Sequence, residues 1–204
     1  MDEANSPARS PRRLAAPRVG LWDPATWLHW LDEAFGESRG RLWHSRAVWH
    51  RVAQARRHEL RWMHADDLST LELAALLHDI GRAIDPADGE PHGFVGARYL
   101  DEIGLHDVAP LVAHHSGARA EAAHRGMAHL DRWTSNDDLR AILTYVDRTT
   151  GPRGEAMTIA ERRDELVRRF GGDAPQLQWF DASLDDAMRG AALFRIDAAP
   201  ALIA

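Results

Sequence analysis

The sequence predicts an all-α protein. Apolar residues recur at helical spacing along most of the chain, strand-like alternation is scarce, and no internal repeat of useful length is present. The length of 204 residues and the hydrophobic fraction of 45% fit one globular core with elaborations. We therefore expect a single helical bundle.

The chain begins with the segment MDEANSPARSPRRLAAPRVG, residues 1–20, which contains three prolines and four arginines. This segment lacks the apolar core of roughly 7 to 15 residues that an export signal requires. No later stretch approaches the ~18 apolar residues of a membrane span. We therefore expect a disordered tail, a soluble cytoplasmic protein and no membrane partner.

Four helices are predicted in the first half of the chain. They cover residues 24–35, 41 to about 63, 69–79 and 92–103. Asp23 is expected to cap the first helix, and Ser69 or Leu68 to start the third. Gly81 and Gly104 are expected to end the third and fourth helices.

Five further helices are predicted in the second half. They cover residues 107 to about 116, 118–127, 136 to about 148, 159–170 and 182 to about 193. The segment TTGPRGEAM at 149–157 has the composition of a loop. We therefore expect a main domain over residues 21–150 and a C-terminal helical extension, residues 151–204, packed on it.

Composition limits the chemistry that the chain can perform. With no cysteine, thiolate zinc sites, iron–sulfur clusters, disulfides and cysteine nucleophiles are excluded, so any metal must bind nitrogen and oxygen. The net charge of −6 argues against a dedicated nucleic-acid binder, because such proteins use Lys and Arg to neutralise phosphates. We expect no nucleic-acid partner.

The segment LLHDIGR places two polar residues on the apolar face of a predicted helix. His78 and Asp79 continue a stripe formed by Leu71, Ala74 and Ala75. An unpaired buried carboxylate is costly, so Asp79 requires a cation, a charged partner or several hydrogen-bond donors. A metal ion would meet this requirement.

Other predicted helices also carry a histidine or an acid at the end of an apolar stripe. In the helix that starts at residue 107, His115 lies on the stripe and His114 lies about 100° away around the axis. Any one such residue, alone, is more often a capping, hydrogen-bonded or solvated side chain than a ligand. The whole set suits one or two first-row metals and comprises His44, His78, Asp79, His92, His115 and Asp147.

The remaining histidines fall off these stripes or in polar segments, and we expect all of them at the surface: His29, His50, His58, His64, His106, His124 and His129. Most of the eight tryptophans cluster in and around the first two predicted helices. We expect Trp22, Trp27, Trp30, Trp43, Trp49 and Trp62 to bury that face rather than to stack on a ligand.

The order His44, then His78-Asp79, then Asp147 resembles the H…HD…D signature of the HD-domain metal-dependent phosphohydrolase superfamily. The resemblance covers about residues 25–150 and implies a helical HD-domain bundle. The segments PHGFVGARYL and VAHHSGAR are similar to those of HD members with a two-metal site, such as diadenosine tetraphosphate hydrolases and HD-GYP phosphodiesterases. No GYP motif follows the histidine pair, which argues against a cyclic dinucleotide substrate.

The resemblance implies a ligand set. His44, His78, Asp79 and Asp147 would hold one metal, and Asp79 would bridge to a second, held by His92 and by His115 or His114. Asp79 is thus a catalytic residue as well as a ligand, and Arg82 would contact a phosphate oxygen unless it only caps its helix. Arg148 is a weaker candidate for the same task, and Arg41 is expected to be a supporting or surface residue.

The activity implied is hydrolysis of a nucleotide or another small phosphorylated metabolite through a metal-activated water. Mixed His and Asp ligation favours iron or manganese, with zinc, nickel and magnesium as alternatives, in one or two sites. Two other functions stay open. They are a di-iron oxygenase of the HD type, which uses nearly the same ligands, and a non-catalytic HD module that binds a nucleotide.

Overall fold

The structure is a computed structural model, and it describes residues 16–17, 20–36, 39–84 and 89–194. The tail predicted over residues 1–20 falls almost entirely outside the described residues. The same holds for residues 195–204 of the predicted C-terminal extension.

The fold is all-α, as predicted. The helices are α1 Pro24–Phe35, α2 Arg39–Ala55, α3 Ala65–Leu77, α4 His92–Glu102, α5 Ala109–His114, α6 Ala118–His124, α7 Asp137–Arg148, α8 Ile159–Phe170, α9 Pro175–Asp181 and α10 Leu184–Phe194. Short 3-10 turns lie at Ile80–Arg82, His115–Gly117 and Ala128–Leu130. Within the described residues, β pairing is limited to one isolated bridge between Thr150 and Ala156.

Two helices have the predicted bounds because their caps are encoded locally. The Asp23 side chain accepts a hydrogen bond from the Ala25 amide at 3.1 Å, and Pro24 occupies the first position of α1. At α8, the Thr158 hydroxyl accepts from the Glu161 amide while the Glu161 carboxylate accepts from the Thr158 amide. This reciprocal capping box fixes the start of α8.

Helix α2 is shorter than predicted. It ends at Ala55, where the Leu60 amide donates to the Ala55 carbonyl at 2.9 Å and closes the helix, and a series of turns follows to Met63. A hydrogen bond that spans five residues satisfies a carbonyl left free at a helix end. The apolar spacing that suggested a longer helix continues into these turns.

Helix α3 begins earlier than predicted, at Ala65 instead of near Ser69. Asp66 and Asp67 lie in its first turn, where carboxylates are stabilised by the positive end of the helix dipole. Ser69 does not cap the helix, since its hydroxyl donates to the Ala65 carbonyl at 2.9 Å. Helix α9 was not predicted; it buries only Leu177 and Phe180, which is too few apolar positions to define a stripe.

The tryptophan prediction is only partly correct. Trp27 and Trp30 belong to the main core, with Leu31 and Phe35 of the same helix. Trp22, Trp43 and Trp62 instead keep 49%, 53% and 39% of their surface exposed. These three rings lie on the outer side of the first two helices or in the adjoining turns.

The predicted role of Gly81 as a helix stop is wrong, whereas Gly104 does end its helix. Gly104 has φ +90°, a conformation that favours glycine, immediately after α4. Gly81 lies inside the 3-10 turn, and a Cβ added there would be 1.9 Å from the His92 carbonyl oxygen. Its lack of a side chain lets the turn after α3 approach the start of α4.

The C-terminal helices pack in two ways. Helix α10 lies against α7 so closely that a Cβ at Gly190 would be 2.0 Å from the Ala141 carbonyl oxygen. Arg140 of α7 also donates to both carboxylate oxygens of Asp186, at 3.0 and 3.1 Å. Helices α8 and α9 share a small core of Leu166, Leu177 and Phe180. The domain boundary at residue 150 stays a prediction.

No helix in the described part of the chain is long and apolar enough to cross a membrane.

Candidate metal centre

Six of the predicted ligands converge at one place in the bundle. They are His44 of α2, His78 and Asp79 after α3, His92 at the start of α4, His115 after α5 and Asp147 near the end of α7. Five of these are buried, and the sixth, His92, has 17% of its side chain exposed. The cluster therefore lies at one edge of the core, with His92 on its accessible side.

The cluster has two halves that share His78. In the first half, Asp147 Oδ1 lies 2.8 Å from His44 Nε2 and 3.6 Å from His78 Nε2. In the second half, His78, Asp79 and His115 each offer one ligand atom, a ring nitrogen or a carboxylate oxygen, and these three atoms lie within 4.8 Å of one another. His92 Nε2 completes this half, 3.2 Å from both Asp79 Oδ1 and His115 Nε2.

Backbone carbonyls set the tautomers of three imidazoles. The Nδ1–H groups of His44, His78 and His115 donate to the carbonyls of residues 151, 75 and 112 at 3.1, 2.8 and 2.7 Å. A carbonyl only accepts, so each Nδ1 carries a proton and each Nε2 faces the cluster, where a neutral imidazole presents a lone pair. This arrangement orients metal-binding histidines in proteins.

The chemistry of the donor set fits a cation. The His78 Nε2 atom is buried and has no hydrogen-bond partner among the described residues. It faces carboxylate oxygens of Asp79 and Asp147 at 3.9 and 3.6 Å. Lone pairs that face carboxylates without a proton between them repel each other, and a metal ion would convert this repulsion into attraction.

The pKa shifts favour the protonation states of ligands. Burial acts to raise the pKa of Asp79, but the Arg82 guanidinium and the neighbouring imidazoles hold it well below its usual range. Burial lowers the pKa of His115 to about 3 and also lowers that of His92. Metal ligation needs charged carboxylates and neutral imidazoles, which are these states.

His44 is the exception among the imidazoles. Burial acts to lower its pKa, but the hydrogen bond and charge of Asp147 outweigh burial and raise it. A proton on His44 Nε2, shared with Asp147 Oδ1, is thus the alternative to a metal ion in this half of the cluster.

Comparison with known protein families gives one match. A family model for the HD domain matches residues 41–162, which is more than half of the chain. The chain belongs to the HD-domain family. HD domains are mostly metal-dependent hydrolases, and the match includes all six residues of the cluster. No curated protein and no solved structure matches the chain.

Two arginines of this HD domain flank Asp79. Arg82 Nε donates to Asp79 Oδ1 at 2.7 Å, and Arg41 Nη1 donates to Asp79 Oδ2 at 3.2 Å. Both guanidinium groups remain partly exposed, at 38% and 36% of the side chain. Arg82 is thus beside the cluster, as predicted, and Arg41 is closer to it than the sequence indicated.

Of the adjacent histidines, only His115 points toward the HD-domain cluster. His114 has its Nδ1 3.0 Å from the Ser135 hydroxyl and its Nε2 2.7 Å from Asp131 Oδ1, on the other side of α5. Helix α5 ends at His114 (φ −106°, ψ 2°), and His115 has an extended backbone (φ −62°, ψ 148°), so the helical geometry ends at this pair of residues. The structure therefore does not support His114 as a ligand.

Two neighbours of the cluster have roles that the sequence did not indicate. The Ser116 hydroxyl donates to Asp147 Oδ2, and nothing in the sequence marks that serine except its place after the histidine pair. Arg148 is not placed for phosphate binding. It donates to the Ser116 carbonyl and the Ser183 hydroxyl and lies over the Phe180 ring, where burial lowers its pKa to about 10.

The other seven histidines, named above as surface residues, are all exposed.

Proposed function

We propose that this HD domain is a metal-dependent phosphohydrolase that acts on a nucleotide or another small phosphorylated metabolite. The observation that supports the proposal is the pair of guanidinium groups of Arg41 and Arg82 beside Asp79, at the edge of a cluster of histidines and carboxylates. Guanidinium groups bind phosphoryl oxygens through paired, charge-assisted hydrogen bonds.

The resemblance to HD domains implies two ligand groups that share Asp79, and in the structure the two halves of the cluster meet at its neighbour His78. His44, His78, Asp79 and Asp147 would hold one metal, and Asp79, His92 and His115 would hold a second. When bound, a divalent transition metal supplies Lewis acidity, which lowers the pKa of a water molecule and stabilises charge on phosphoryl oxygens. Iron or manganese suits these ligands best.

The protein side chains would orient the phosphoryl group. Arg82 uses its Nε to hold Asp79, and its Nη atoms make no hydrogen bond to any residue that the structure describes. These donors are thus free to bind phosphoryl oxygens while Nε keeps the guanidinium in place. The histidine rings of the cluster are buried, apart from that of His92, and are therefore largely shielded from bulk water.

The activity is tested by metal analysis of freshly purified protein, followed by a phosphate-release screen with nucleotides and dinucleoside polyphosphates. We expect bound transition metal and phosphate release from at least one compound. Absence of release from every compound by protein that contains metal would contradict the proposal. Oxygen consumption by the iron-loaded protein would favour an oxygenase instead.

Replacing His115 with alanine is expected to reduce the bound metal from two ions to one per chain, because the second ligand group loses an Nε2 donor. His114→Ala is the matched control, since the adjacent imidazole faces Asp131 and Ser135. Elemental analysis of both variants after identical reconstitution measures the difference. Equal metal content in the two variants would show that His115 holds no ion.

Replacing Arg82 with alanine is expected to lower kcat/KM about 100-fold, because one preorganised donor to the transition state is lost. Arg82→Lys should recover only part of this loss, since an ammonium group cannot hold Asp79 and bind phosphate in the same way. Steady-state phosphate release measures both variants. The control is Arg46→Ala, which removes an exposed arginine of α2; an equal loss in this variant would refute a specific role for Arg82.

A further inference from the structure

A cavity of about 220 Å³ lies directly beside the metal centre. It is lined by Gly40, Arg41, His44, Pro152, Arg162 and Arg169. His44 belongs to both the cavity and the metal cluster, and Arg41 lines the cavity while it donates to Asp79 Oδ2 at 3.2 Å. The cavity is therefore next to the place where the proposed function puts the phosphoryl group.

The lining of the cavity is positively charged. Three of its lining residues are arginines, and none of those that the structure describes is an acid. Arg41 is paired with Asp79 and Arg162 with Glu165, whereas Arg169 forms no ion pair with any residue that the structure describes. The Nε atom of Arg162 is buried and has no hydrogen-bond partner in the described part of the chain. Arg169, whose side chain is exposed, therefore offers guanidinium donors to a ligand in the cavity.

These arginines come from two helices that the fold brings together. Arg41 lies in the first turn of α2, and Arg162 and Arg169 lie two turns apart on α8, so that both can face the same side. Arg169 lies beyond the residues 41–162 that match the HD-domain family. The C-terminal extension thus adds positive charge to the edge of the site.

The shape and lining of the cavity argue against a nucleobase. Its volume is below the roughly 300 to 1,000 Å³ that is usual for drug-sized ligands. Among the described residues that line it, His44 alone has an aromatic ring on which a base would stack. A small, negatively charged group fits it better.

We propose that this cavity is a binding subsite for a second anionic group of the substrate, a carboxylate or a phosphate. The inference rests on the proposed function and narrows its substrate class to small phosphorylated compounds that carry a further negative charge near the reacting phosphate. Arg162 and Arg169 would bind that group, and Arg41 would lie between it and the reacting phosphate of the substrate.

The test compares two non-hydrolysable probes, 3-phosphonopropionate and butylphosphonate, which have a similar chain length and differ in the terminal carboxylate. Their binding to the metal-loaded full chain is measured by isothermal titration calorimetry. We expect the wild-type protein to bind 3-phosphonopropionate at least about tenfold more tightly, as charge-assisted hydrogen bonds would produce. Arg169→Ala should reduce this preference to about threefold or less.

Arg168→Ala is the matched control, because its side chain is exposed on α8 and does not line the cavity. This variant should keep the wild-type preference. Arg162→Gln should lose the preference for 3-phosphonopropionate, and circular dichroism should show that its helical fold is intact. If Arg162→Gln does not fold, the test of the subsite depends on Arg169→Ala, which changes an exposed position.

The outcomes separate the two proposals. Equal binding of both probes by the wild-type protein, or an equal loss in Arg168→Ala and Arg169→Ala, would overturn the subsite and leave the hydrolase proposal intact. Failure of the metal-loaded protein to bind either phosphonate would contradict both proposals.

Discussion

Replacing Asp79 with alanine is expected to abolish both metal binding and phosphate release, with a loss in kcat/KM of about 1,000-fold or more. Asp79 is the ligand that the resemblance to HD domains assigns to both metals, and it accepts hydrogen bonds from Arg41 and Arg82, so its removal affects the metals and the phosphate-binding donors together. Elemental analysis and a phosphate-release assay on the same sample measure the two losses.

The fold is expected to survive this substitution. Asp79 lies in the turn after α3 and not inside a helix, and the two arginines that donate to it can turn toward solvent because their side chains are partly exposed. Circular dichroism should show unchanged helicity. Asp79→Asn removes the negative charge of the carboxylate and keeps the shape of the side chain. The control is Asp107→Ala, which removes an exposed carboxylate. Full activity in Asp79→Ala would remove Asp79 from the site.

Replacing Gly81 with alanine is expected to lower the free energy of unfolding by about 3 kcal/mol or more, at the upper end of overpacking effects. The added Cβ would lie 1.9 Å from the His92 carbonyl oxygen and 2.8 Å from the Gly96 amide nitrogen. Both are backbone atoms of α4, so no side-chain rotation relieves the contact. Chemical denaturation of the two proteins measures the difference.

Gly172→Ala is the control for this experiment, since a Cβ there meets nothing within 4 Å and should change stability by no more than about 1 kcal/mol. Because α4 carries His92, Gly81→Ala should also reduce metal content in the fraction that folds. Stability equal to that of the control would show that the turn after α3 does not approach α4 as the structure has it.

Local periodicity was enough to predict much of the cluster. His44, His78 and Asp147 each continue an apolar stripe, and a stripe depends only on the spacing of residues along one helix. The resemblance to HD domains added the grouping of these residues around Asp79. The structure brings the six residues together; whether they bind metal stays a prediction.

Other parts of the site could not be predicted because they depend on contacts between distant segments. The choice of His115 over His114 depends on the end of α5 at His114 and on the contacts of each imidazole with residues far away in the sequence. The contact of Arg41 with Asp79 joins residues 38 positions apart, and α2 begins earlier than its apolar pattern suggests. Helical spacing carries no information about either feature.

His78 and His115 each donate a hydrogen bond to a backbone carbonyl at the end of the preceding helix. The same hydrogen bond therefore completes the helix end and orients the imidazole. Ala75 and Val112 are among the last four residues of α3 and α5, whose carbonyls lack partners within the helix. Each imidazole satisfies one of these carbonyls as its own helix ends, so a one-residue insertion there would disturb both. The rings are thereby preorganised by folding, and metal binding should require little loss of side-chain conformational entropy.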